Sequence, residues 1–551
     1  MLRYALTLLG CLAITVCKAA APVPLPERVD EAIRDRVSAG IYPSVVIAIV
    51  DGEHSEIHAF GKAVGNSDAG PDTVYEIGSI TKTFTATLLA TSVTSKDLTL
   101  DEPVANLLPG FTLPARNGKV ITLGTLAMQD SGLPRLPTNF MPPHQEDPYV
   151  GYDEAKLKSF LASYALPRDP GQGYEYSNLG VALLGYALAV HAGTPYDKLL
   201  QKDILGPLGM RNSGIELADT ARAGMAPGHD DAGRAVPGWH LELFAGAGGI
   251  VSTAADMLRY LQANMGLLPT SLYPAMQLAQ TPKSAGPRPE DRIGLVWMTH
   301  QLPDGNIIWH SGMTGGYASF IGFTADHRHG VVILTNTAVP VEDLGFATLD
   351  AGWQLRPIRK RMATTPEQIE EYVGNYQLSP KLVVRVFRDG NRLAAQGTGQ
   401  PPQPIFASAK DEFYANIDDI ALSFTRDASN HVTGMILHQH GDHVAPRISD
   451  AAADATMGNT QVTLDPATLK DYGGHYQMPG GAMLVVTLKD GQLMAQLASQ
   501  PAFPVFASAR DKFFYRVVDA KLGFERDASG TVTAVVLHQN GVDHRAPKVA
   551  P

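Results

Sequence analysis

The chain has 551 residues, of which 44% are hydrophobic and 18% are charged, and its formal net charge is −11 at pH 7. This composition indicates a globular protein of roughly two to four domains and excludes a fibrous or disordered chain. Because the charge is acidic and no lysine- or arginine-rich run occurs, we predict no nucleic acid among its partners.

The first segment has the pattern of a secretory signal peptide. Arg3 precedes an apolar run over residues 5–16, and small residues follow as they do at a cleavage site. The run is shorter than a membrane-spanning helix needs. We therefore predict a signal peptide over residues 1–19 and a periplasmic or secreted protein without an integral membrane span. The alternatives are an uncleaved anchor and a lipoprotein modified at Cys17, against which the bulky Val16 argues.

The two cysteines of the chain, Cys11 and Cys17, both lie in this segment. A mature chain without them has no disulfide, no thiol nucleophile and no cysteine-ligated metal. Export without cysteines fits an oxidising compartment in which the fold depends on no disulfide.

Residues 20–361 have strand patterns near both ends and helical patterns mostly between them. Two β-rich runs are SVVIAIVDG, which begins at Ser44, and GVVILTNTA, which begins at Gly330. Helical stretches include SITKTFTATLLATSVTS and VALLGYALAVHAG. This arrangement predicts an α+β domain whose sheet joins the N- and C-terminal parts of the region.

The first of these helical stretches contains Ser79-Ile80-Thr81-Lys82, the only Ser-x-x-Lys sequence in the chain. Positions i and i+3 share a helix face, so the Lys82 amine can reach the Ser79 hydroxyl. A serine becomes a nucleophile when a neighbouring base takes its proton, and a lysine whose pKa is lowered by burial can be that base. The helix N-terminus would stabilise the oxyanion of acyl transfer. The alternative is a helix cap followed by a solvated lysine.

A second motif, Tyr176-Ser177-Asn178, offers two more polar groups. A phenol close to a lysine ammonium ionises more easily and can relay the proton of a serine. The Asn178 amide can donate to a substrate carbonyl and hold the lysine at the same time. The pattern Tyr-x-Asn recurs at residues 414–416, where we expect a structural role, so it is weak evidence alone.

A third motif is His310-Ser311-Gly312. A histidine at a strand edge, with a glycine that allows close backbone approach, would form the far wall of a serine-hydrolase cleft. The N–H of Met313 would then be the second donor to the oxyanion. The pattern His-x-Gly also occurs at residues 191–193, where it is typical of a helix end with a glycine cap.

The sequence after residue 361 contains one module twice. EYVGNYQLSP at residues 371–380 corresponds to DYGGHYQMPG at residues 471–480. We predict modules over residues 362–450 and 462–551, joined by a small, polar linker over residues 451–461. Short β-branched runs closed by Asp-Gly turns predict that each module is a small antiparallel barrel or sandwich.

Histidines crowd one predicted turn of the first module. His438, His440, Asp442 and His443 are spaced as the ligands of a zinc site could be. In the second module Asn540 stands in place of His440. Because the polar residues of a hairpin turn explain both copies, we predict no metal and, for the whole chain, no cofactor.

The three motifs, in this order and at these wide spacings, resemble those of the serine β-lactamase and penicillin-binding superfamily. The branch most resembled groups class C β-lactamases, D-Ala-D-Ala carboxypeptidases, esterases and the D-aminopeptidases of peptidase family S12. The resemblance covers residues 32–355. The segment at residues 121–134 is similar to one that usually ends in HTSGLP, but residues 129–130 are Gln-Asp here. Residues 245–261 resemble the glycine-rich wall of the family and the helix after it.

The resemblance implies a role for each motif. Ser79 would be the acyl-forming nucleophile, Lys82 its base, and Tyr176 the proton relay to the leaving group. The backbone N–H groups of Ser79 and Met313 would form the oxyanion hole. The residues implied to contact the substrate or its oxyanion are Asn178, His310, Gly312 and Met313.

Two departures bear on the substrate. His310 occupies a position that is lysine in class C β-lactamases, and a histidine is mostly neutral at pH 7, which favours a peptidase or esterase. The two C-terminal modules match the layout of D-aminopeptidases, in which a loop of the last barrel reaches the cleft. The loops at residues 480–481 and 540–543 are candidates, with Asp543 a partner for a substrate ammonium. The alternative for Asp543 is a solvated turn.

We therefore predict an α+β (β-lactamase/transpeptidase-like) catalytic domain over residues 20–361, followed by two small antiparallel β-barrel (lipocalin-like) domains. The predicted function is an exported serine hydrolase that cleaves amide bonds next to D-amino acids, as a D-aminopeptidase or D-Ala-D-Ala carboxypeptidase. The alternatives are a β-lactamase or a small-ester esterase and, in another class, a cell-wall-binding protein with a vestigial site. The predicted partner is a small peptide, β-lactam or ester substrate, and the oligomeric state stays open.

Overall fold

The structure is a computed structural model. It describes residues 23–550 apart from 143, 145, 218–222, 358, 360, 390, 391, 399, 401, 417–419, 440, 480, 499–501, 519, 540 and 541. The predicted signal peptide and both cysteines lie outside the described residues. So do His440 of the histidine-rich turn and Gly480 and Asn540 of the two predicted loops.

Among the described residues, both the catalytic region and the barrel region contain helices. They are α1 Glu27–Ser38, α2 Thr81–Thr94, α3 Val104–Leu107, α4 Leu123–Ala127, α5 Glu154–Ser163, α6 Asn178–His191, α7 Tyr196–Leu200, α8 Gly206–Leu208, α9 Ala245–Gly248, α10 Ala254–Asn264, α11 Tyr273–Gln280, α12 Glu342–Leu349, α13 Pro366–Glu370, α14 Asp450–Thr456 and α15 Pro466–Lys470. None of the helices within these ranges has the length and apolar character that crossing a membrane requires.

The strands of the catalytic region are β1 Ser44–Asp51, β2 His54–Gly61, β3 Val74–Glu76, β4 Ala115–Arg116, β5 Lys119–Val120, β6 Gly228–His229, β7 Ala235–Val236, β8 Val251–Thr253, β9 Ser284–Ala285, β10 Asp291–Ile293, β11 Met298–His300, β12 Ile307–Met313, β13 Ala318–Thr324 and β14 His329–Thr335. Eight of them form one antiparallel sheet in the order β2-β1-β14-β13-β12-β11-β10-β9. β1 pairs with β14 along its length, so the sheet joins the two ends of the region and the predicted α+β fold is confirmed.

Helices cover both faces of this sheet, which explains why the β1 run is apolar without alternation. One set of β1 side chains, at Val45, Ile47 and Ile49, packs in a cluster with residues of α1 and α12. The alternate set, at Val46, Ala48 and Val50, packs in the larger cluster that contains residues of α2, α6 and α10. Successive side chains of a strand point to opposite faces, so a strand between two helical layers is buried on both.

Two closed eight-stranded antiparallel barrels follow, which confirms the barrel prediction over the sandwich. The first contains β15 Gly374–Ser379, β16 Leu382–Asp389, β17 Arg392–Gly397, β18 Gln403–Ala409, β19 Glu412–Tyr414, β20 Ala421–Arg426, β21 Val432–His438 and β22 Asp442–Ile448. The second contains β23 Gly474–Gln477, β24 Met483–Lys489, β25 Gln492–Leu497, β26 Phe503–Ala509, β27 Lys512–Tyr515, β28 Ala520–Arg526, β29 Val532–Gln539 and β30 Val542–Val549.

The segment predicted as a linker contains helix α14, which ties the two barrels together. Asp454 on this helix is almost fully buried and accepts hydrogen bonds from Arg385 of the first barrel and Arg516 of the second. The catalytic region contacts the barrels elsewhere. Arg361 donates to the Asp231 carbonyl at 2.7 Å, and Met141 packs against the core of the second barrel.

Candidate active site

Ser79 lies in the short turn Gly78–Ile80 that leads into α2. Gly78 has φ +50°, and a Cβ there would lie 2.7 Å from the Met313 nitrogen, so only glycine lets the turn approach β12 this closely. On the other side of the contact, a Cβ on Gly312 would lie 2.0 Å from the Ile77 carbonyl oxygen. The two glycines therefore bring the backbones of Ser79 and Met313, the predicted oxyanion donors, to one place.

Lys82 is one turn further along α2 and is fully buried. Its Nζ lies 2.8 Å from Ser79 Oγ and 2.6 Å from the Ala247 carbonyl oxygen. Burial, followed by repulsion from the positive charge of Arg135, holds the Lys82 pKa well below its usual value. A lysine with a lowered pKa offers the neutral amine that a general base needs.

Tyr176 is the second side chain, after Lys82, that forms a hydrogen bond with the Ser79 hydroxyl. Its hydroxyl donates to Ser79 Oγ at 2.8 Å. We expected a nearby ammonium to make this phenol ionise more easily, but this prediction is wrong, because burial raises the pKa of Tyr176. The hydrogen bond to Ser79 and the positive charge of Arg135 oppose this increase but do not cancel it. Tyr176 therefore faces the serine as a proton donor.

Asn178, the first residue of α6, lines the same pocket. Its Oδ1 is buried and has no hydrogen-bond partner among the described residues. The predicted contact between Asn178 and Lys82 is not formed, because the Ala247 carbonyl accepts from Lys82 instead. The unpaired amide oxygen can therefore accept a hydrogen bond from a substrate.

His310 on β12 is buried, with 6% of its surface exposed. Its Nδ1 lies 2.6 Å from the Ser311 carbonyl oxygen, so Nδ1 carries the proton and Nε2 is the acceptor. Burial, with a smaller effect of Lys82, lowers the His310 pKa to about 3. The imidazole is therefore neutral at pH 7, and the strand edge presents no cation.

These groups open on a cavity of about 450 Å³. Aromatic and aliphatic side chains make up much of its wall, and they come from several loops as well as from β11 and β12. The lining aromatic residues are Tyr149, Tyr174, Tyr176, Trp239, Phe244 and Trp309. Such a wall suits a ligand with apolar groups, oriented by the few polar side chains between them.

The Gln129-Asp130 pair, which replaces the usual His-Thr of the resembled segment, supports the Tyr176 loop. Gln129 Oε1 accepts from the Ser177 N–H at 2.6 Å, and its carbonyl oxygen accepts from the Glu175 N–H at 2.7 Å. Burial raises the pKa of the Asp130 carboxyl to about 6. Gln129 thus fixes the loop that carries Tyr176.

Sequence reasoning missed Arg135 in the pocket. Its guanidinium carbon lies 5.1 Å from the centre of the Tyr176 ring, and the residue lines the cavity. The signal was present, because Arg135 directly follows the Gly-Leu-Pro sequence that ends the segment at residues 121–134. The segment carries the resemblance, but the resemblance implies no role for the side chain that follows it.

Asp543 lies away from the pocket lining, on the second barrel. Its carboxylate is mostly exposed and accepts from His538 Nδ1 at 2.5 Å. In the first barrel His438 makes the corresponding contact with Asp442 at 2.6 Å. Over the part of the chain that the structure describes, no three His, Cys, Asp or Glu side chains are grouped to hold a metal ion.

The comparisons with known proteins agree with this geometry. The model of the Beta-lactamase family matches residues 29–351, more than half of the chain. The model of a domain of unknown function, DUF3471, matches residues 359–454 and again residues 459–546.

Two relatives represent the catalytic region. The chain is 26% identical over 325 residues to a β-lactamase of Pseudomonas fluorescens, which covers 52% of this chain and 87% of that protein. It is 27% identical over 352 residues to the D-alanyl-D-alanine-carboxypeptidase/endopeptidase AmpH of Escherichia coli K12, covering 58% and 88%.

Solved structures show the same fold. A class C β-lactamase superposes with a TM-score of 0.52 at 23% identity and covers 59% of this chain and 96% of its own. The D-alanine carboxypeptidase AmpC from Burkholderia cenocepacia superposes with a TM-score of 0.50 at 24% identity, covering 58% and 97%. The chain therefore belongs to the Beta-lactamase family and is a serine hydrolase of the β-lactamase and penicillin-binding superfamily, with a class C β-lactamase fold followed by two barrels.

Proposed function

We propose that the protein is an exported serine hydrolase that cleaves amide bonds next to D-amino acids in short peptides, as a carboxypeptidase of the D-Ala-D-Ala type. The observation that carries this proposal is the position of Ser79 Oγ, 2.8 Å from both Lys82 Nζ and the Tyr176 hydroxyl. Similarity to AmpH, a D-alanyl-D-alanine-carboxypeptidase/endopeptidase, supports the substrate class. The signal-peptide pattern of residues 1–19 supports export.

Acylation follows from the protonation states at the site. Neutral Lys82 takes the proton of Ser79 while Oγ attacks the scissile carbonyl carbon. The N–H groups of Ser79 and Met313 donate to the resulting oxyanion. When the C–N bond breaks, Tyr176 gives its proton to the leaving amine, and the proton held by Lys82 restores the phenol. Water then attacks the ester and gives one proton to the same groups, which pass it to Ser79 Oγ as the C–O bond breaks and the acid leaves.

The neutral His310 distinguishes this site from that of a class C β-lactamase. A class C-like site with lysine at this position would offer a permanent positive charge at the strand edge, whereas His310 with a pKa near 3 offers none. The unpaired Asn178 Oδ1 in the pocket suits a peptide, because a peptide N–H can donate a hydrogen bond to it.

We favour a carboxypeptidase over a D-aminopeptidase because Asp543, the predicted partner of a substrate ammonium, lies away from the pocket lining. An aminopeptidase needs an acid for the free ammonium of its substrate. The Asp543 carboxylate already accepts from His538 on its own barrel, and the described pocket lining contains no aspartate or glutamate.

A small-ester esterase is the second candidate, and the apolar wall of the cavity favours it. The side chains that face Ser79 are largely aromatic or aliphatic, as an acyl group without charge would require. An ester also needs less help with its leaving group than an amide does, so an esterase would depend less on Tyr176.

The test compares hydrolysis of an N-acylated D-alanyl-D-alanine peptide with hydrolysis of a short-chain p-nitrophenyl ester. The matched variants are Ser79→Ala and Ser163→Ala, the second being an exposed serine on α5 outside the pocket. We expect release of D-alanine by the natural sequence and by Ser163→Ala, and none by Ser79→Ala. Ester hydrolysis without D-alanine release would establish the esterase instead.

A further inference from the structure

The charges in the active-site pocket are unevenly distributed. Arg135 is the one permanently charged side chain in the described pocket lining, which contains no aspartate, glutamate or lysine. His310 is neutral there, and Lys82 lies buried behind Ser79. Arginine stays protonated at every pH at which a protein is folded. The pocket therefore carries one fixed positive charge, on the loop that follows Pro134.

The Arg135 side chain is not used by the fold. Its guanidinium makes no hydrogen bond or ion pair with the described residues and contacts only the face of Tyr176, as a cation over an aromatic ring. An exposed arginine without a carboxylate, on the wall of a catalytic cavity, has its donors free for a ligand.

The backbone of Arg135 is nevertheless held firmly. Its carbonyl oxygen accepts from the Leu179 N–H at 3.2 Å, and the carbonyl of Pro134 accepts from Ser177 Oγ at 2.7 Å. Both donors belong to the start of α6, next to Tyr176. Arg135 is therefore fixed to the same element that positions the proton donor.

The distance to the nucleophile suits a short peptide. The guanidinium is 5.1 Å from the Tyr176 ring centre, and the hydroxyl of that ring is 2.8 Å from Ser79 Oγ. A peptide bound over Ser79 needs no more than about three extended residues to bring a terminal group to Arg135. A carboxylate arriving there would meet the planar fork of donors that binds carboxylates bidentately.

We propose that Arg135 is the residue that selects the substrate, by binding a carboxylate of the peptide and repelling a free amino group. This inference rests on the proposed function, because it names the charge class of substrate for the same site. It assigns carboxylate recognition to the loop after Pro134 and not to the His310 position. A substrate whose carboxylate is blocked loses this contact but keeps the same scissile bond.

The test measures kcat/KM for an N-acylated D-alanyl-D-alanine peptide and for its C-terminal carboxamide, with the full chain and its variants. We expect a preference for the free acid of about tenfold or more, since a hydrogen-bonded ion pair of partly exposed groups is involved. Arg135→Gln should abolish the preference, Arg135→Lys should keep part of it, and Arg211→Gln should leave it unchanged, because Arg211 is exposed and outside the pocket.

The ratio of kcat/KM for the free acid to kcat/KM for the carboxamide separates carboxylate binding from the chemical step. Removing Arg135 also removes a charge that lowers the Lys82 pKa, but that change affects both substrates equally and cancels in the ratio. A ratio that Arg135→Gln leaves unchanged would overturn the inference.

A second substrate pair keeps the inference testable if the proposed function fails. If no D-alanine is released from either peptide, the same variants are compared on p-nitrophenyl acetate and on the mono-p-nitrophenyl ester of glutarate. We then expect Arg135→Gln to remove a preference for the anionic ester. If Arg135→Gln lowered kcat/KM equally for both esters, or if the natural sequence showed no preference for the anionic ester, the proposal that Arg135 binds a carboxylate would be contradicted.

Discussion

The barrels and the active-site pocket differ in how their charged and polar side chains are paired. In each barrel an arginine donates to an aspartate at 2.8 Å, from Arg426 to Asp411 in the first and from Arg526 to Asp511 in the second. Around the pocket, in contrast, Arg135 lacks an ion pair among the described residues and the Asn178 Oδ1 is unpaired. The Asn178 Oδ1 is buried, and buried polar groups are normally satisfied, so an unpaired one beside a nucleophile indicates a ligand.

The two repeated modules also share a hydrogen bond between a buried tyrosine and a backbone carbonyl. Tyr376 donates to the Tyr372 carbonyl at 2.7 Å, and Tyr476 donates to the Tyr472 carbonyl at the same distance. Two copies that have diverged in many surface residues keep the contacts that hold the barrel. The catalytic domain instead buries a lysine and a histidine, and burial lowers the pKa of both toward their neutral forms.

The largest expected effect is that of Ser79→Ala. Loss of the nucleophile should lower kcat for any hydrolysed substrate by about 10,000-fold or more, because the covalent step disappears. The thermal unfolding midpoint should stay unchanged, since Ser79 is partly exposed to the pocket. Steady-state kinetics and calorimetry on the same preparation measure both. Residual activity near that of Ser163→Ala would show that another nucleophile does the chemistry.

Tyr176→Phe should have the next largest effect on activity. The variant keeps the ring beneath Arg135 but loses the proton donor, so amide hydrolysis should slow by about 100- to 10,000-fold. Hydrolysis of an activated ester should slow much less, because its leaving group needs no proton. Parallel kcat measurements on the peptide and the p-nitrophenyl ester check this. Equal slowing of both substrates would contradict the role of Tyr176 as donor to the leaving amine.

Glu76 should make the stability of the catalytic domain depend on pH. Burial raises its pKa to about 7, above the ordinary value of 4.5, while its Oε1 accepts from the Trp239 N–H. A raised carboxyl pKa leaves stability intact below about pH 4.5 and lowers it as the pH rises toward 7. Over that window the natural sequence should lose up to about 3 kcal/mol relative to Glu76→Gln.

Urea unfolding at pH 5 and pH 7.5 measures this difference. Asp130, whose pKa is raised to about 6, contributes to the pH dependence of both proteins and therefore cancels in the comparison. The account of Glu76 is contradicted if the two proteins change stability in parallel.

The smallest expected effect concerns a barrel. Asp511→Ala removes the acceptor of Arg526 and should lower the free energy of unfolding of the second barrel by about 1–2 kcal/mol, since the pair is only partly buried. Asp411→Ala is the matched variant in the first barrel and should behave alike. Chemical denaturation measures both, and kcat/KM should stay unchanged. A large loss of activity in either variant would mean that the barrels do more than pack beside the catalytic domain.

The sequence was enough to predict the fold because its signals were local or repeated. The runs at β1 and β14 are long and apolar, and the two modules copy each other's turns. The segment from Ala451 looked like a linker because it is small and polar. The helix that it forms depends on Asp454 meeting Arg385 and Arg516, which are distant in sequence.

The sequence names most of the residues that the structure brings together at the candidate site, but it does not give their electrostatics. Spacing alone places Lys82 one turn after Ser79, as the structure has it. Whether Tyr176 ionises depends on how deeply its own phenol is buried, and no pattern in the sequence gives that depth. The Ala247 carbonyl lies in α9, far from Lys82 along the chain, so it could not be predicted from motif spacing. Arg135, in contrast, directly follows the Gly-Leu-Pro sequence of a segment that the resemblance covers.

The most direct test is the intact mass of the purified protein over time with a penicillin or an N-acylated D-alanyl thioester. Peptide mapping then locates any adduct. The account predicts a mass increase equal to the acyl group, mapped to Ser79 and absent from Ser79→Ala, with Lys82→Met forming it far more slowly. An adduct that persists in Ser79→Ala, or substrate turnover without any adduct on Ser79 in rapid-quench samples, would contradict an acyl-enzyme on Ser79.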